Sequence, residues 1–564
     1  MTTRTHPPFD EFDRTLHASV GQFTRGMSLA ALGLAFADWA IHFWTQPSRA
    51  SQHLMSPWTH MFQPQASQPA APLDRRLQQP EWAAWPASRL RDAWLAWANG
   101  IQDMFSDVPG VERHHGELAG LAVRQWLLMT SPANHPLLNP AVQKSAFSTM
   151  GRSLAQGALN WTGDLGRRLL RSPLPGADEF RPGAAVATTP GKVVLRNRLI
   201  ELIQYAPATP SVHPEPVLVV SAWIMKYYVL DLSPHNSLIR YLVDQGHTVF
   251  AISWRNPQAE DRDLGIEDYL QLGVMAALDA IGAIVPRQRV HAVGYCLGGT
   301  LMALAAAAMA RDQDERLATL TLLAAQTDFS EPGELGLFID ESQLSFLDCL
   351  MSRQGYLDAT QMAGAFALLR PVDLIWAPFV HNYLMGERAP LTDLLAWNAD
   401  GTRMPWRMHA DYLRNLFLNN ALAQGQFRVH GAPVSLRDVE VPIFAVGTLT
   451  DHVAPWRSVY KINLLCDGDI TFALTDGGHN AGIVSEPSHA GRHFRIAHRS
   501  ANAPYVPPDR FLSEVQAQEG SWWPALHDWL AAHSGARRKP PRTGAPARGY
   551  APLDEAPGRY VHQR

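Results

Sequence analysis

The sequence predicts an α/β fold with a helical insertion and a mostly helical N-terminal region. Short apolar runs alternate with helical stretches between about residues 193 and 474, which is typical of a parallel sheet covered on both faces. The gap between residues 325 and 441 is too long for a single crossover, so we expect a mostly helical cap there. Nine of the 18 tryptophans precede Gly166, several at helical spacing among Leu and Ala.

The individual elements follow from these apolar runs and their spacing. In chain order, the predicted strands cover residues 193–207, 216–221, 248–254, 289–294, 318–325, 441–447 and 470–474. The predicted helices between them cover residues 236–245 and 266–285, and a further helix begins at Leu297. Together they form the repeated strand–helix order of an α/β domain.

Domain boundaries are predicted from composition. Residues 172–190 contain four prolines and separate the tryptophan-rich part from the strands. We expect a helical N-terminal domain over residues 1–185 and a catalytic domain over residues 186–535, with its cap at about residues 331–436. A basic tail follows over residues 536–564. The tryptophans of the first domain either form its core or present an apolar surface to a lipid-like or polymeric partner.

Charge and cysteine content exclude several classes of protein. A formal net charge of −4 is too close to neutral to indicate a nucleic-acid-binding protein. Three cysteines give no disulfide framework and favour a reducing cytoplasm.

The apolar stretch from Met27 to Trp44 is interrupted by Asp38 and His42 and lacks a cleavage site, so we expect a buried or amphipathic helix. No signal peptide or transmembrane segment is predicted.

The segment VHAVGYCLGGT places a cysteine in a tight turn between a predicted strand and a predicted helix. Gly294 and Gly298 lie two residues before and after Cys296, where a nucleophile elbow needs small residues to let the backbone pass closely. This context predicts an α/β-hydrolase fold with Cys296 as the nucleophile. The alternative is a structural cysteine in a glycine-rich turn.

An α/β-hydrolase elbow also predicts the chain order of nucleophile, acid and histidine. Asp451 follows the strand 441–447 and His479 follows the strand 470–474, so both fall where this fold places its acid and base. His452 and Asp476 are competing candidates because they lie next to these positions. His452 has no neighbouring ligands at metal spacing, and no metal site is predicted.

Several longer segments resemble the polyhydroxyalkanoate synthase family. They are VSAWIMKYYVLDL, QGHTVFAISWRNP, GYCLGGT, TLTDHVAPW and GGHNAGIV, together with the C-terminal GRYVHQR that is similar to single-subunit members. The resemblance implies polymerisation of (R)-3-hydroxyacyl-CoA to polyester with release of CoA. It assigns the nucleophile, acid and base to Cys296, Asp451 and His479.

The same resemblance implies the partners and the location of the protein. The expected partners are 3-hydroxyacyl-CoA, the growing polyester, the granule surface and a second copy in a homodimer, with a cytoplasmic, granule-associated location. No cofactor is expected, because CoA is part of the substrate and product. Where the family usually has Pro-Pro-Trp-Ile-Asn, this chain has Ser-Ala-Trp-Ile-Met at residues 221–225. That loop is expected to help form the oxyanion hole.

The expected chemistry explains why a cysteine occupies the elbow. Transfer from CoA to Cys296 exchanges one thioester for another, so the acyl group stays activated for attack by a 3-hydroxyl. His479 is expected to accept the thiol proton, while Asp451 either orients His479 or helps activate the hydroxyl. The backbone N–H of Leu297 and one from Trp223, Ile224 or Met225 are the expected oxyanion donors.

Two other functions remain possible from the sequence. A cysteine-dependent hydrolase, such as a thioesterase or esterase, would use the same three residues and release its product to water. A non-catalytic granule-associated relative would use the tryptophan-rich region for adhesion, although it would not need all three residues.

Overall fold

The structure, a computed structural model, describes residues 28–62, 73–170 and 172–564. The first 27 residues of the predicted N-terminal domain and residues 63–72 lie outside the described part. A ten-stranded mixed sheet forms the centre of the molecule. Its strands are β1 (Gly191–Arg196), β2 (Ile200–Tyr205), β3 (Val217–Val220), β4 (Val249–Trp254), β5 (Val290–Tyr295), β6 (Leu317–Leu323), β7 (Ile443–Thr448), β8 (Ile470–Thr475), β9 (His493–Arg499) and β10 (Gln518–Glu519).

The strand order across the sheet is β1-β2-β4-β3-β5-β6-β7-β8-β9-β10. The six strands from β4 to β8 are parallel, whereas β1, β2, β9 and β10 join the two edges with antiparallel pairing. Successive residues face opposite sides, so Ala292 of β5 joins one apolar core and Val293 joins the other. The predicted parallel sheet with two covered faces is confirmed.

One predicted strand is wrong in its extent. Residues 193–207 were expected to form a single strand, but the chain folds back between β1 and β2 into an antiparallel hairpin. The Asn197 side-chain oxygen accepts hydrogen bonds from the backbone N–H groups of Leu199 at 2.8 Å and Ile200 at 2.9 Å. These bonds stabilise a turn that the apolar pattern alone does not reveal.

Helices cover both faces of the sheet. The predicted helix 266–285 is present without a gap along the chain. Its hydrogen-bonding pattern changes, however, because a π-helical middle lies between two α-helical ends. In the α/β part, the helices are Leu238–Asp244, Ile266–Asp268, Tyr269–Met275, Ala276–Ile284, Leu297–Arg311, Trp456–Tyr460, Ile462–Leu465, Pro508–Glu514 and Trp523–Ala532.

The segment between β6 and β7 is mostly helical. Two short antiparallel pairs interrupt it, Tyr356–Leu357 with Met404–Pro405 and Arg428–Val429 with Ala432–Pro433. Its helices are Gly333–Phe338, Glu341–Gln354, Ala359–Leu369, Val372–Trp376, Ala377–Phe379, Val380–Leu384, Asp393–Ala399, Trp406–Tyr412, Leu413–Leu418 and Leu436–Asp438. We call residues 331–436 the cap.

The N-terminal helices pack against the cap. Gly157 lies so close to the cap that an added Cβ would be 2.0 Å from the carbonyl oxygen of Tyr383. Asp164 accepts hydrogen bonds from the Tyr383 hydroxyl at 3.0 Å and from Arg388 at 2.9 Å. The independence of the N-terminal domain therefore stays a prediction. The long helices of this region are Leu29–Trp44, Pro47–Phe62, Ala87–Asp103, Arg113–Met129, Pro140–Ser148 and Arg152–Leu170.

The C-terminal residues 536–564 lie along the sheet. Val193 of β1 exchanges backbone hydrogen bonds with Leu553 and Asp554. Further along, the buried carboxylate of Glu201 accepts hydrogen bonds from the backbone N–H groups of Arg559 and Tyr560, at 2.8 and 2.9 Å. The last residues thereby extend the edge of the sheet formed by β1.

Within the described ranges, no single helix has both the length and the apolar character to cross a membrane. One bent pair, Ala359–Leu369 with Val372–Leu384, matches a broken span by length and composition only.

Buried histidines predict how stability depends on pH. Burial, followed by the charges of neighbouring histidines, lowers the pKa of His247 to about 2 and that of His291 to about 3. Both stay neutral in the folded protein but bind a proton below about pH 6.5 when unfolded. The unfolded chain then binds more protons, so stability falls as the pH drops from about 6.5 towards 3, by about 1.4 kcal/mol per pH unit for each histidine.

We expect His247→Gln to reduce this pH dependence in thermal unfolding measured between pH 7 and pH 5. The exposed His135 provides the matched control, and His135→Gln is expected to leave the dependence unchanged. An equal slope in the wild-type protein and the His247 variant would contradict the assignment.

Candidate active site

Cys296 lies in a strained turn between β5 and the helix Leu297–Arg311. Its backbone has φ 54° and ψ −125°, outside the regions that side-chain-bearing residues favour. A Cβ added to Gly294 would lie 2.4 Å from the Gly299 Cα, and one added to Gly298 would lie 2.2 Å from the Val220 carbonyl oxygen. The glycines predicted to permit a nucleophile elbow are therefore required by backbone contact.

Asp451 and His479 extend from the loops after β7 and β8 and form a hydrogen-bonded pair. The Asp451 Oδ2 atom lies 2.7 Å from the His479 Nδ1 atom and also accepts a hydrogen bond from the Thr448 hydroxyl at 2.8 Å. Its Oδ1 atom accepts from the backbone N–H groups of Val453 at 2.8 Å and Ala454 at 2.9 Å. The carboxylate is fully buried, so these bonds fix its orientation towards the imidazole.

The charges of Asp451, His479 and Cys296 favour the ionised forms of Asp451 and His479. Burial alone would raise the pKa of Asp451, but the His479 charge and the surrounding hydrogen bonds lower it. Burial alone would also lower the pKa of His479, but the charges of Asp451 and Cys296, with hydrogen bonds to both side chains, raise it well above its usual value. The histidine ring therefore links the carboxylate to the sulfur, and its raised pKa favours the state in which His479 holds the proton that Cys296 has lost.

The expected oxyanion donors come from two segments of the chain that border one cavity. Leu297 is the first residue of its helix, so its backbone N–H has no acceptor within the helix. Ile224 borders the same cavity as Cys296 and Leu297. In contrast, the Trp223 ring packs into the core beside Trp254 and Tyr269, with ring centroids 6.5 and 5.4 Å away.

The loop that contains these residues is held by the cap. Thr402 donates its hydroxyl to the carbonyl oxygen of Trp223 at 2.6 Å and its backbone N–H to that of Ile224 at 3.0 Å. Met225 forms an isolated bridge with Gly401. This anchor cannot be predicted from the sequence, because Thr402 is distant along the chain and has no motif around it.

The two competing candidates, Asp476 and His452, are not part of the hydrogen-bonded pair of Asp451 and His479. Asp476 lies 3.5 Å from Arg492 and, among the described residues, forms no hydrogen bond or ion pair with His479. Burial, followed by the charge of Arg370, lowers the pKa of His452. Asp451 is thus the carboxylate paired with His479. The catalytic roles of Cys296, Asp451 and His479 stay a prediction. No group of three possible metal ligands occurs among the described residues.

A cavity of about 840 Å³ opens beside Cys296. Its wall is mainly apolar and includes residues of the sheet domain, such as Leu297, and of the cap, such as Leu350 and Phe379. The N-terminal helix Arg152–Leu170 also contributes, through Trp161, Asp164, Leu165 and Arg168. The volume lies within the range of about 300–1,000 Å³ typical of small-molecule sites. Sequence analysis did not assign the N-terminal helix to this wall, since the contact depends on tertiary packing.

Three regions of the chain match family models, and two of these regions overlap. Residues 7–49 match the model described as poly-beta-hydroxybutyrate polymerase N terminal, and residues 73–242 match that of the poly-beta-hydroxybutyrate polymerase (PhaC) N-terminus. Residues 215–486 match the alpha/beta hydrolase fold, which confirms the predicted fold class.

Curated relatives are similar over most of the chain. A poly(3-hydroxyalkanoate) polymerase of Methylorubrum extorquens is 38% identical over 87% of this chain and 81% of the relative. The poly(3-hydroxyalkanoate) polymerase subunit PhaC of Rhizobium etli is 36% identical, covering 89% of this chain and 78% of the relative. The corresponding subunit of Rhizobium meliloti is also 36% identical, over 87% of this chain and 80% of the relative.

Proposed function

The chain belongs to the poly(3-hydroxyalkanoate) polymerase family, as its motifs predict, and on this premise we propose that it polymerises (R)-3-hydroxyacyl-CoA into polyester. CoA is released, and the acyl group is carried on Cys296. The observation that best supports this proposal is the cysteine of the elbow at the wall of a large apolar cavity, with His479 interacting with Cys296 on one side and with the buried Asp451 on the other.

In the first step, His479 accepts the thiol proton of Cys296 and the thiolate attacks the thioester carbonyl of the substrate. The resulting oxyanion accepts hydrogen bonds from the backbone N–H of Leu297 and from one in the loop that contains Ile224. The bond to the CoA sulfur breaks as the intermediate collapses, and CoA leaves with the proton from His479. The acyl group is now a thioester of Cys296.

In the second step, the 3-hydroxyl of another hydroxyacyl-CoA attacks the thioester of Cys296. His479 accepts the hydroxyl proton, an ester bond forms, and the Cys296 sulfur departs and regains the proton. The product is a chain longer by one unit and still attached to CoA. It acylates Cys296 again and releases that CoA, so one CoA is freed for each unit added. The 2.7 Å contact supports a role for Asp451 in orienting His479 and stabilising its charge.

Large exposed apolar side chains support contact with polyester. Several lie on or near the helix Arg152–Leu170, and Phe147 and Met150 are 86% and 88% exposed. Large apolar side chains that are exposed to water are covered when they meet an apolar partner. We therefore extend the proposal to a cytoplasmic, granule-associated protein that acts as a homodimer and needs no separate cofactor.

The product distinguishes the proposed polymerase from the two alternative functions. Incubation with (R)-3-hydroxybutyryl-CoA is expected to release CoA in proportion to insoluble polyester, measured by thiol titration and by chromatography after methanolysis. A soluble 3-hydroxy acid formed in equal amount to CoA would indicate a cysteine-dependent hydrolase instead. Binding to polyester granules without CoA release would indicate a non-catalytic relative.

A further inference from the structure

The cavity wall contains two buried polar side chains that have no hydrogen-bond partner among the described residues. Among the polar residues of this wall that are at least nine-tenths buried, Thr300, Gln326 and Gln343 form hydrogen bonds within the protein. His409 and Tyr412, 7% and 9% exposed, have no side-chain hydrogen bond to any residue that the structure describes. Neither side chain is among the polar groups that are wholly sealed from solvent without a partner, so their polar atoms keep access to the cavity. Both side chains are therefore available to form hydrogen bonds with a ligand in the cavity.

His409 and Tyr412 are placed to act on the same ligand. They lie three residues apart in the cap helix Trp406–Tyr412, so they project from one face of it. The Tyr412 ring is held edge-on against Phe417, with a centroid distance of 5.3 Å. Burial, followed by the charge of Cys296, raises the pKa of Tyr412 well above its usual value, so the phenol lies within electrostatic reach of the nucleophile.

The protonation states of the two residues define what they can bind. Burial lowers the pKa of His409 to about 4, so its imidazole is neutral at pH 7 and offers one donor and one acceptor. The Tyr412 phenol remains protonated and donates or accepts. A hydroxyl group, which donates one hydrogen bond and accepts others, satisfies both. A carboxylate or phosphate fits less well, because Arg168, the one Lys or Arg among the described residues of the wall, lies on the N-terminal helix and not on the helix of these two side chains.

We propose that His409 and Tyr412 form a subsite that binds the 3-hydroxyl group of the acyl unit at Cys296. This inference rests on the proposed function. Apart from the thioester carbonyl, the hydroxyl is the one polar group of a 3-hydroxybutyryl unit, and the rest of the wall is mainly apolar. His409 acts here through hydrogen bonding and not as a base, since a group of low basicity holds a hydroxyl proton weakly. The subsite selects hydroxylated acyl groups.

Single-turnover acylation of Cys296 by (R)-3-hydroxybutyryl-CoA and by butyryl-CoA tests the subsite, because only the 3-hydroxyl differs. A site built to bind a hydroxyl discriminates strongly against the analogue without it. We expect the wild-type protein to prefer the hydroxylated substrate by at least about 100-fold in the second-order rate constant. In His409→Phe and Tyr412→Phe, the rate with the hydroxylated substrate is expected to fall more than the rate with butyryl-CoA, so that the preference falls below about tenfold.

Three controls separate the subsite from effects on folding. His409→Gln keeps a donor and an acceptor and is expected to retain most of the preference. Tyr412→Phe removes an unpartnered hydroxyl, so its thermal midpoint without substrate is expected to equal or exceed that of the wild-type protein. Arg407→Gln changes the exposed side of the same helix and leaves the preference intact.

An unchanged preference in both phenylalanine variants would overturn the subsite and leave the proposed polymerase untouched. A lower midpoint in Tyr412→Phe would also contradict it, since that result requires a partner within the protein. If the wild-type protein released CoA from neither substrate, the proposed function itself would fail.

Discussion

Cys296→Ala is expected to reduce CoA release from (R)-3-hydroxybutyryl-CoA by about a million-fold, to the uncatalysed background. The substitution removes the sulfur that forms the covalent bond, and no other group at the elbow can replace it. Alanine is smaller than cysteine and leaves the glycine contacts of the turn intact, so we expect little change in thermal unfolding. CoA release is measured by thiol titration and the fold by circular dichroism.

The other two cysteines provide matched controls. Cys466 is buried and donates a weak hydrogen bond to the Leu436 carbonyl oxygen at 3.2 Å, and Cys349 lies in the cap helix Glu341–Gln354. Neither is in the elbow, so Cys349→Ser and Cys466→Ser are expected to retain most activity. If Cys349→Ser were as inactive as Cys296→Ala with an unchanged fold, a single nucleophile at position 296 would be disproved.

His479→Gln is expected to slow acylation of Cys296 by at least about 10⁴-fold, because the thiol then has no base. The glutamine side chain can occupy similar space and hydrogen bond to Asp451, but it does not accept a proton. The measurement is the rate at which the acyl-enzyme appears in intact-protein mass spectrometry after rapid mixing. Formation of the acyl-enzyme at the wild-type rate would remove His479 from the first step.

Asp451→Asn tests the role of the carboxylate separately. The amide keeps an oxygen for the N–H groups of Val453 and Ala454, but it turns its NH₂ group towards His479 Nδ1. The imidazole would then be held in the tautomer with a protonated Nε2, which does not accept the cysteine proton. We expect both acylation and elongation to fall by about 10⁴-fold. An acyl-enzyme that forms normally but does not elongate would instead place Asp451 in activation of the hydroxyl.

The elbow and its two partners could be predicted because their requirements are local. Close backbone contacts demand glycine at positions 294 and 298, and the fold places Asp451 and His479 directly after successive strands. The parallel strands were also predicted well, since residues buried on both faces form continuous apolar runs. The hairpin at Asn197 was missed because one side-chain oxygen, and not a change in hydrophobicity, produces the turn.

The cavity wall could not be predicted, because it is assembled from three distant parts of the chain. Trp161 and Asp164 reach it only through packing of an N-terminal helix on the cap, and Thr402 fixes the loop after β3 across a long separation. His409 gives no sequence signal either. A histidine within a helical stretch is ordinary. The proposed role of His409 depends on its position in the cavity wall and on the lack of a hydrogen-bond partner among the described residues, and both are visible only in the structure.

In the proposed reaction, Cys296 carries the acyl group on the way to the polyester. The most direct test mixes the full-length protein with one equivalent of isotopically labelled (R)-3-hydroxybutyryl-CoA and maps the acylated peptide by mass spectrometry. A chase with excess unlabelled substrate then follows the label. We expect a labelled thioester on the Cys296 peptide, and we expect the label to move into insoluble polyester during the chase. Polyester formed without any adduct on Cys296, or label released as free acid, would contradict it.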